Sequence, residues 1–484
     1  MTSQTFDNAA PVSLPSAVGL SRIEPLRSAA TLLATFLMIG LVLRIVMWWT
    51  FGRQTGIDPA RLPLLLGAGS IADLRVALLL VLPLTLWSAF SPSRWRQSKL
   101  FEGVRLAALL IVNIGLVYTA FAEYFFFEEF NARFNLVAVD YLMYPHEVLG
   151  NIRDSYPVGG VLLLTVSIAL ILLPLQLAVL RAGRRHAGAG QQHRLQSLAL
   201  FGGVLAFSMI VPLEAASADR IEREIASNGI ALFFDALRTH DLRYTDHYRS
   251  MDGSRAVSLV REELKGTAES GLPGLRQVRA SRPDGLGHMN VAVIVEESLG
   301  CEFVGACGDS RGLTPSLDRI ATEGVFFQQV WATGTRTVRG LEAITASFPP
   351  IPSESIVKRP GGDRLDNWGR IMRSAGYRTS FLYGGYAWFD GMTNFFASNG
   401  FEIIDRRNFD NPQFSNIWGV SDEDLFANAL VHFDEHAASG EPFFSVVLST
   451  SNHKPFTFRP GVPGVPEKGG GREAGIRYAD YALG

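Results

Sequence analysis

The stretch Asn290–Ser298, NVAVIVEES, decides the fold of the second half of this chain. Its apolar run, rich in β-branched residues, stops at two carboxylates and a hydroxyl. β-Branched side chains suit an extended backbone, and an unbroken apolar run with polar ends reads as a buried strand. Outward from it the pattern recurs. GVFFQQVWA (324–332), RTSFLYGG (378–385) and PFFSVVLST (442–450) read as further buried strands. PSLDRIATEG (315–324), VRGLEAITASF (338–348), NWGRIMRSAG (367–376) and EDLFANALVHFDEHAA (423–438) read as helices. This alternation predicts an α/β domain with a mostly parallel sheet over residues 288–484. Ligands of such sheets gather beyond the carboxyl ends of the strands.

The residues after each strand are therefore the site candidates. Glu296, Glu297 and Ser298 follow the first, as ordinary strand-end polar groups or as metal-ligating carboxylates. The loop TGTRT, Thr333–Thr337, precedes a helix. A hydroxyl there is an N-cap or lies where helix N–H groups receive a phosphate, and Thr337 becomes a nucleophile only if activated. Arg336 and Arg339 flank it and would neutralise phosphate oxygens. The third strand leads into Tyr383 and the loop GGYAWFDG, whose Trp388 and Asp390 would hold a polar headgroup or simply pack the loop. His453 follows the fourth strand, as a solvated loop residue, a general acid or a phosphate ligand.

The first half reads differently. Of the 484 residues only 19% are charged, against about 25% in soluble proteins, and the deficit lies before residue 216. Five apolar segments reach the roughly 20 residues that cross a bilayer: Ala29–Phe51, Ile71–Phe90, Val104–Phe127, Gly159–Leu180 and Leu198–Ala215. The first run is too long for a signal peptide and has no cleavage site after it. Basic residues after the second and fourth spans, and the acidic connection after the third, place residues 1–28 in the cytoplasm and everything after the fifth span outside. Arg44, Asp73, Arg75, Glu123 and Glu214 then share the outer-leaflet level, as helix-end charges that pair at the interface or as a pocket for a lipid headgroup. Residues 216–287 read as an amphipathic helix on the membrane surface (216–250) and a polar linker. A net charge of −2 gives no support to nucleic-acid binding, and two cysteines exclude a disulfide-dense or multi-cysteine zinc domain. Cys301 and Cys307, on the oxidising side, either close a short loop as a disulfide or remain two buried thiols.

VIVEES, then LTPSLDRIATEGVFFQQVWATGTRTVRGLEA (313–343), then STSNHKPF (449–456) resemble the alkaline phosphatase and sulfatase superfamily, and within it the lipoteichoic acid synthase type of membrane-bound phosphoglycerol transferase. RFNLVAVDYLMYPHEVLGNIRDSYP (133–157) and NGIALFFDALRTHDLRY (228–244) are similar to that family as well. The resemblance implies a five-helix transmembrane region (29–215) and an extracytoplasmic sulfatase-like domain, in a bacterial cell membrane. By position it makes Glu297 a metal ligand, Thr337 the metal-activated nucleophile and His453 a phosphate-binding residue. The implied metal is manganese, with magnesium or zinc as other occupants. The implied reaction passes a phosphoglycerol group from a phospholipid such as phosphatidylglycerol, through Thr337, to an extracytoplasmic glycan or polymer.

Three departures from the family pattern qualify this expectation. No Cys-x-Pro-x-Arg or Ser-x-Pro-x-Arg stands at the nucleophile, which disfavours a formylglycine sulfatase. The family's headgroup-binding His and Trp-Asn-Arg appear as Tyr383 and the WFDG loop, which leaves the headgroup open. The Asp-His pair that completes the family's metal site does not follow His453, and RYADYALG (477–484) stands about where the family continues. The expectation is a C-terminally incomplete domain that binds metal weakly. Alternatives are a phosphoethanolamine transferase, a phosphodiesterase and an inactive lipid- or partner-binding membrane protein.

Overall fold

A computed structural model describes residues 25–90, 98–182, 219–239, 249–263 and 288–484 (without 350, 352 and 353), with a few isolated positions between 95 and 206. The chain divides into two units, residues 1–140 with 157–238 and residues 141–156 with 239–484.

The first unit is helical: α1 (Pro25–Met47), α2 (Leu62–Phe90), α3 (Lys99–Phe130), α4 (Leu136–Met143, shared with the second unit), then, past α5 (Pro145–Ser155) of the second unit, α6 (Val158–Ala182), α7 (Arg220–Ala226) and α8 (Gly229–Thr239). Four helices, lying within 28–52, 59–83, 99–130 and 158–180, are long and apolar enough to cross a membrane. They carry exposed apolar faces, such as Ile111, Leu163 and Ile171, where a soluble helix would be polar. The fifth expected span, Leu198–Ala215, falls for the most part outside the described residues. Three helices are clasped by amides: Asn113 and Gln176 exchange hydrogen bonds of 3.0 and 2.9 Å, and Gln176 donates to Thr35 Oγ1 at 2.9 Å. Away from water such groups stay paired because an unpaired amide is costly.

Three of the charged residues expected at one bilayer level, Arg44, Asp73 and Glu123, pair within the protein. Arg44 is fully buried, pairs with Asp73 and donates to Ser227 O at 2.8 Å. Asn228 donates to the same Asp73 at 2.8 Å. Gly40 and Gly69 make room, since a Cβ at either would overlap this pair. Glu123 pairs with the buried Arg133, and Arg75 is buried too. Glu214 lies outside the described residues. The geometry of Arg44, Asp73 and Glu123 is that of closed ion pairs, the alternative to a lipid pocket. The expected surface helix over 216–250 is also corrected. Among the described residues it is two short helices broken at Ser227–Asn228, and Ile225 is fully buried with Met47, Trp48 and Phe127. The break is where the backbone carbonyls of Ala226 and Ser227 turn to Arg44.

The second unit holds β1 (Val291–Val295), β2 (Arg378–Tyr383), β3 (Glu402–Ile404) and β4 (Phe443–Leu448), in the order β1-β4-β2-β3. Every pairing is parallel, with Val295 opposite Leu448 and Tyr383 opposite the same residue. The helices are α9 (Gly253–Glu263), α10 (Pro315–Glu323), α11 (Thr337–Ala346), α12 (Trp368–Ser374), α13 (Met392–Ser398), α14 (Asp422–Ser439) and α15 (Gly471–Leu483). α9 lies in what reads as linker from sequence. β4 is buried along its whole length, whereas β1 is an edge strand that exposes Ala292 and Ile294 rather than the fully buried strand expected. Phe381, Phe395, Phe396 and Val446 form the main core on one sheet face, and Leu382, Leu425 and Val447 pack the other. α14 shows why its limits fall where they do. Ser421 Oγ accepts from the Asp424 N–H, three acids fill the first turn, and Gly440 closes the helix in the left-handed region at φ 72°.

GVFFQQVWA is not a strand. Residues 324–332 pair with no other strand among the described residues, and Val325, Phe327, Val330 and Trp331 are exposed. An extended segment becomes a strand only when a neighbour takes its N–H and C=O groups. Cys301 and Cys307 are bonded as a disulfide with Cα atoms 5.7 Å apart. Replacing both by serine is expected to cost about 2 kcal/mol, the loop-closure value for so short a ring. Thermal unfolding of the double variant checks the cost, and a thiol count of zero on denatured, unreduced protein checks the bond.

Candidate active site

The carboxyl ends of β1 and β4 are adjacent, so the residues that follow them meet. Glu297 is the junction. Its Oε1 accepts from Thr337 Oγ1 at 3.0 Å and from Ser298 Oγ at 3.1 Å, and His453 Nε2 lies 3.4 Å away. Burial alone would push this carboxyl up, but the bonds to His453, Thr337 and Ser298 outweigh it and hold Glu297 below the ordinary glutamate range. Thr337 is the first residue of α11 and partly exposed, so its hydroxyl stands beside the open N–H groups of a helix start. Three residues expected from separate strand ends thus form one hydrogen-bonded group.

The loop after β4 is held from below. Asp422 is fully buried and accepts from Thr450 N at 2.7 Å and Ser451 N at 3.1 Å, while its own N–H donates to Ser451 Oγ. Asn452 donates to Glu297 O and Ser298 O at 3.2 and 3.0 Å. Ser449 Oγ accepts from the Glu297 N–H and donates to Glu296. Trp418 packs on the His453 ring with centroids 4.8 Å apart and donates to Lys454 O at 2.6 Å. Ser298, Asp390 and Phe456 all have positive φ of 50–57°, a cluster of left-handed non-glycine residues around one site. Sequence reading misses Asp422, Ser449, Asn452 and Trp418 as members of this framework. Asn452 stands in the quoted SNH stretch, but a role directed backward at β1 has no local signature.

The other candidates divide. Arg336 and Lys358 each approach the buried Asp390 at 3.5 Å, so Asp390 holds cations rather than a headgroup. Arg339 pairs with Glu342 at 2.8 Å. Positions i and i+3 share a helix face, and Glu342 is fully buried, so this pair ties Arg339 to its own helix. Tyr383 is buried at the end of β2, and burial pushes its phenol well above the ordinary range, which keeps it neutral. Trp388 is exposed and stacks on Tyr386 at 5.6 Å. Tyr144, from α4–α5, packs on Phe389 with centroids 4.7 Å apart, and Tyr156 accepts from Lys454 at 3.1 Å. The stretch 141–156 thus belongs to the wall of this site.

Glu296 is a second carboxyl beside the first. Burial, then the charge of Asp422, pushes it up to about 8 against its bond to Ser449. Its folded value lies above its ordinary 4.5, so the folded state keeps the proton longer and wild-type stability falls as pH rises from about 4.5 to 8. Glu296→Gln, neutral at every pH, is expected to gain stability relative to wild type across that window and to level off above it. Denaturation at stepped pH with a chelator present checks this.

Hard oxygen donors suit a divalent cation. Glu297 Oε1 and Thr337 Oγ1 lie 3.0 Å apart, and Glu296 Oε1 is buried with no hydrogen-bond partner. The donors present fit part of a coordination sphere.

A hydroxyl at a helix start thus meets a carboxylate at the end of one strand and an imidazole that follows another. The family model described as Sulfatase matches residues 289–481. Phosphoglycerol transferase I of Xanthomonas campestris pv. campestris is 27% identical over 164 residues, covering 30% of this chain and 22% of that protein. The protein of the same name from Xanthomonas euvesicatoria pv. vesicatoria is 28% identical over 162 residues. The chain spans about a fifth of the length of these relatives (22% of each). Among solved structures, a protein in the alkaline phosphatase superfamily from Vibrio parahaemolyticus is 37% identical, with TM-score 0.44 over 48% of this chain and 58% of that one. The lipoteichoic acid synthase LtaP from Listeria monocytogenes is 21% identical, with TM-score 0.36 over 41% and 50%. The chain carries a sulfatase domain over residues 289–481 and is similar to phosphoglycerol transferases. Its four long apolar helices make it a membrane protein, and members of the sulfatase and alkaline phosphatase superfamily typically use divalent metals.

Proposed function

We propose that this chain is a metal-dependent transferase that moves a phosphoglycerol group from a membrane phospholipid such as phosphatidylglycerol to a glycan or polymer outside the cytoplasmic membrane. The observation that carries the reading is the Thr337 hydroxyl, set at the start of α11 and hydrogen-bonded to Glu297 beside His453. Glu297 and Thr337 would hold the divalent ion, manganese first and magnesium or zinc as other occupants, which when bound lowers the pKa of a ligating hydroxyl. Glu297 orients Thr337 by taking its hydrogen bond. The Thr337 hydroxyl gives its proton to Glu297 and its oxygen forms the new bond to phosphorus, the bond from phosphorus to the diacylglycerol oxygen breaks, and His453 supplies the proton to that oxygen. The N–H groups at the start of α11 and the Arg336 guanidinium face the charge that builds on the phosphoryl oxygens. An acceptor alcohol then gives its proton to His453 and displaces Thr337, whose oxygen takes its proton back from Glu297.

The test is incubation of the full chain with fluorescent phosphatidylglycerol and a divalent ion, following diacylglycerol and the labelled acceptor. Release with transfer supports the reading. Release to water alone marks a phosphodiesterase, and phosphatidylethanolamine as the preferred donor marks a phosphoethanolamine transferase. No release with any donor marks a binding protein.

A further inference from the structure

The amino ends of the strands, opposite the site above, carry a separate group of ligating side chains. His432 and His436 lie one turn apart on the same face of α14, and Glu402 opens the edge strand β3. One ligand atom from each lies within 4.8 Å of the others. The two imidazoles turn their Nε2 atoms toward each other at 3.0 Å, with ring centroids 4.3 Å apart and planes at 87°. A neutral imidazole pair at this distance shares one hydrogen bond, and a protonated pair would repel. Two imidazole nitrogens bound to one zinc at about 2.0–2.1 Å sit roughly 3.3 Å apart, so only small ring shifts separate this geometry from chelation. His at i and i+4 on a helix is a spacing that delivers two ligands to one ion without bending the backbone. The rings are half-buried and Glu402 is exposed, so an ion can enter from solvent.

We propose that His432, His436 and Glu402 form a structural site for a zinc-class divalent ion, distinct from the Glu297–Thr337 centre. Two nitrogens and one carboxylate oxygen leave a fourth position for water, the preference of zinc rather than of manganese or magnesium. The ion would tie β3, a three-residue strand at the sheet edge, to the helix that supplies Asp422 at its other end. An ion bound only by the folded state raises stability with its concentration.

The experiment is zinc titration of the full chain in detergent micelles, by calorimetry and by thermal unfolding. Wild type is expected to bind one more equivalent than His432→Asn or His436→Asn. Glu402→Gln is expected to bind that equivalent at least several-fold more weakly. Zinc is expected to raise the wild-type unfolding temperature by more than it raises that of either histidine variant. Equal stoichiometry and equal zinc-induced shifts in all four proteins would overturn the site. Copper(II) loaded onto wild type provides a readout independent of variant folding. A resonance spectrum with hyperfine splitting from two imidazole nitrogens is expected, and a spectrum showing one or none overturns the proposal.

Discussion

Thr337→Ala is expected to abolish diacylglycerol release, by roughly 10 000-fold or more, because no other hydroxyl stands where its oxygen does. The loss should fall on turnover and leave folding intact. Thr337 is partly exposed at the first position of α11, and its one side-chain bond is to Glu297. Glu297 keeps Ser298 and His453 as neighbours in the variant, so its charge stays compensated. Thr337→Ser retains the nucleophile and is expected to keep a measurable fraction of activity. Initial rates of diacylglycerol release from fluorescent phosphatidylglycerol, beside unfolding curves of the three proteins, separate a chemical loss from a structural one.

Glu342→Ala is expected to be the most damaging single change to the stability of the second unit. The Glu342 carboxylate is fully buried and pairs with Arg339 at 2.8 Å. It also accepts from Ser355 Oγ at 2.6 Å and Ile356 N at 2.7 Å. Alanine removes the acceptor of all three and leaves a largely buried guanidinium without its carboxylate. Breaking a buried pair from one side costs about 3–5 kcal/mol. In a domain of this size that is a fall of about 10 °C or more in unfolding temperature. Glu342→Gln keeps an acceptor oxygen for the 355–356 turn but loses the charge, so it should fall between alanine and wild type. The wild type and both variants are ranked by thermal unfolding in one detergent.

The contrast between Glu342 and Thr337 shows what a sequence can display. Thr337, Glu297 and His453 each follow a strand or open a helix, and a parallel sheet brings such positions to one edge. Glu342 lies inside VRGLEAITASF, a helical pattern in which a charged residue looks like solvent surface. Only the packed structure shows the 355–356 turn covering it. The pairing of Arg339 with Glu342 was not read either, since spacing does not tell which nearby anion a cation meets. Asp422 was not read as the support of the loop that carries His453, because its partners are 28 and 29 residues away.

Hydropathy located the membrane helices to within a few residues at most ends, since solvent exclusion acts on composition. It extended α2 too little. Residues 62–70 continue that helix through Gly67 and Gly69, the second of which makes room for Arg44. The Asn113–Gln176–Thr35 clasp was not read, because single amides within apolar runs give no period. GVFFQQVWA failed differently: its composition suits a strand, and composition carries no information on whether a neighbour is present to pair with it. The amphipathic stripe after residue 216 was real, but its first turn faces protein rather than lipid, with Ile225 packed on Phe127.

In the proposed reaction the phosphoryl group passes through Thr337. The most direct test is mass spectrometry of the protein after incubation with phosphatidylglycerol and manganese in the absence of an acceptor. One glycerophosphoryl adduct is expected on the peptide containing Thr337, absent in Thr337→Ala and lost when acceptor is added. Diacylglycerol release with an unmodified Thr337, or an adduct on another residue, would contradict this route.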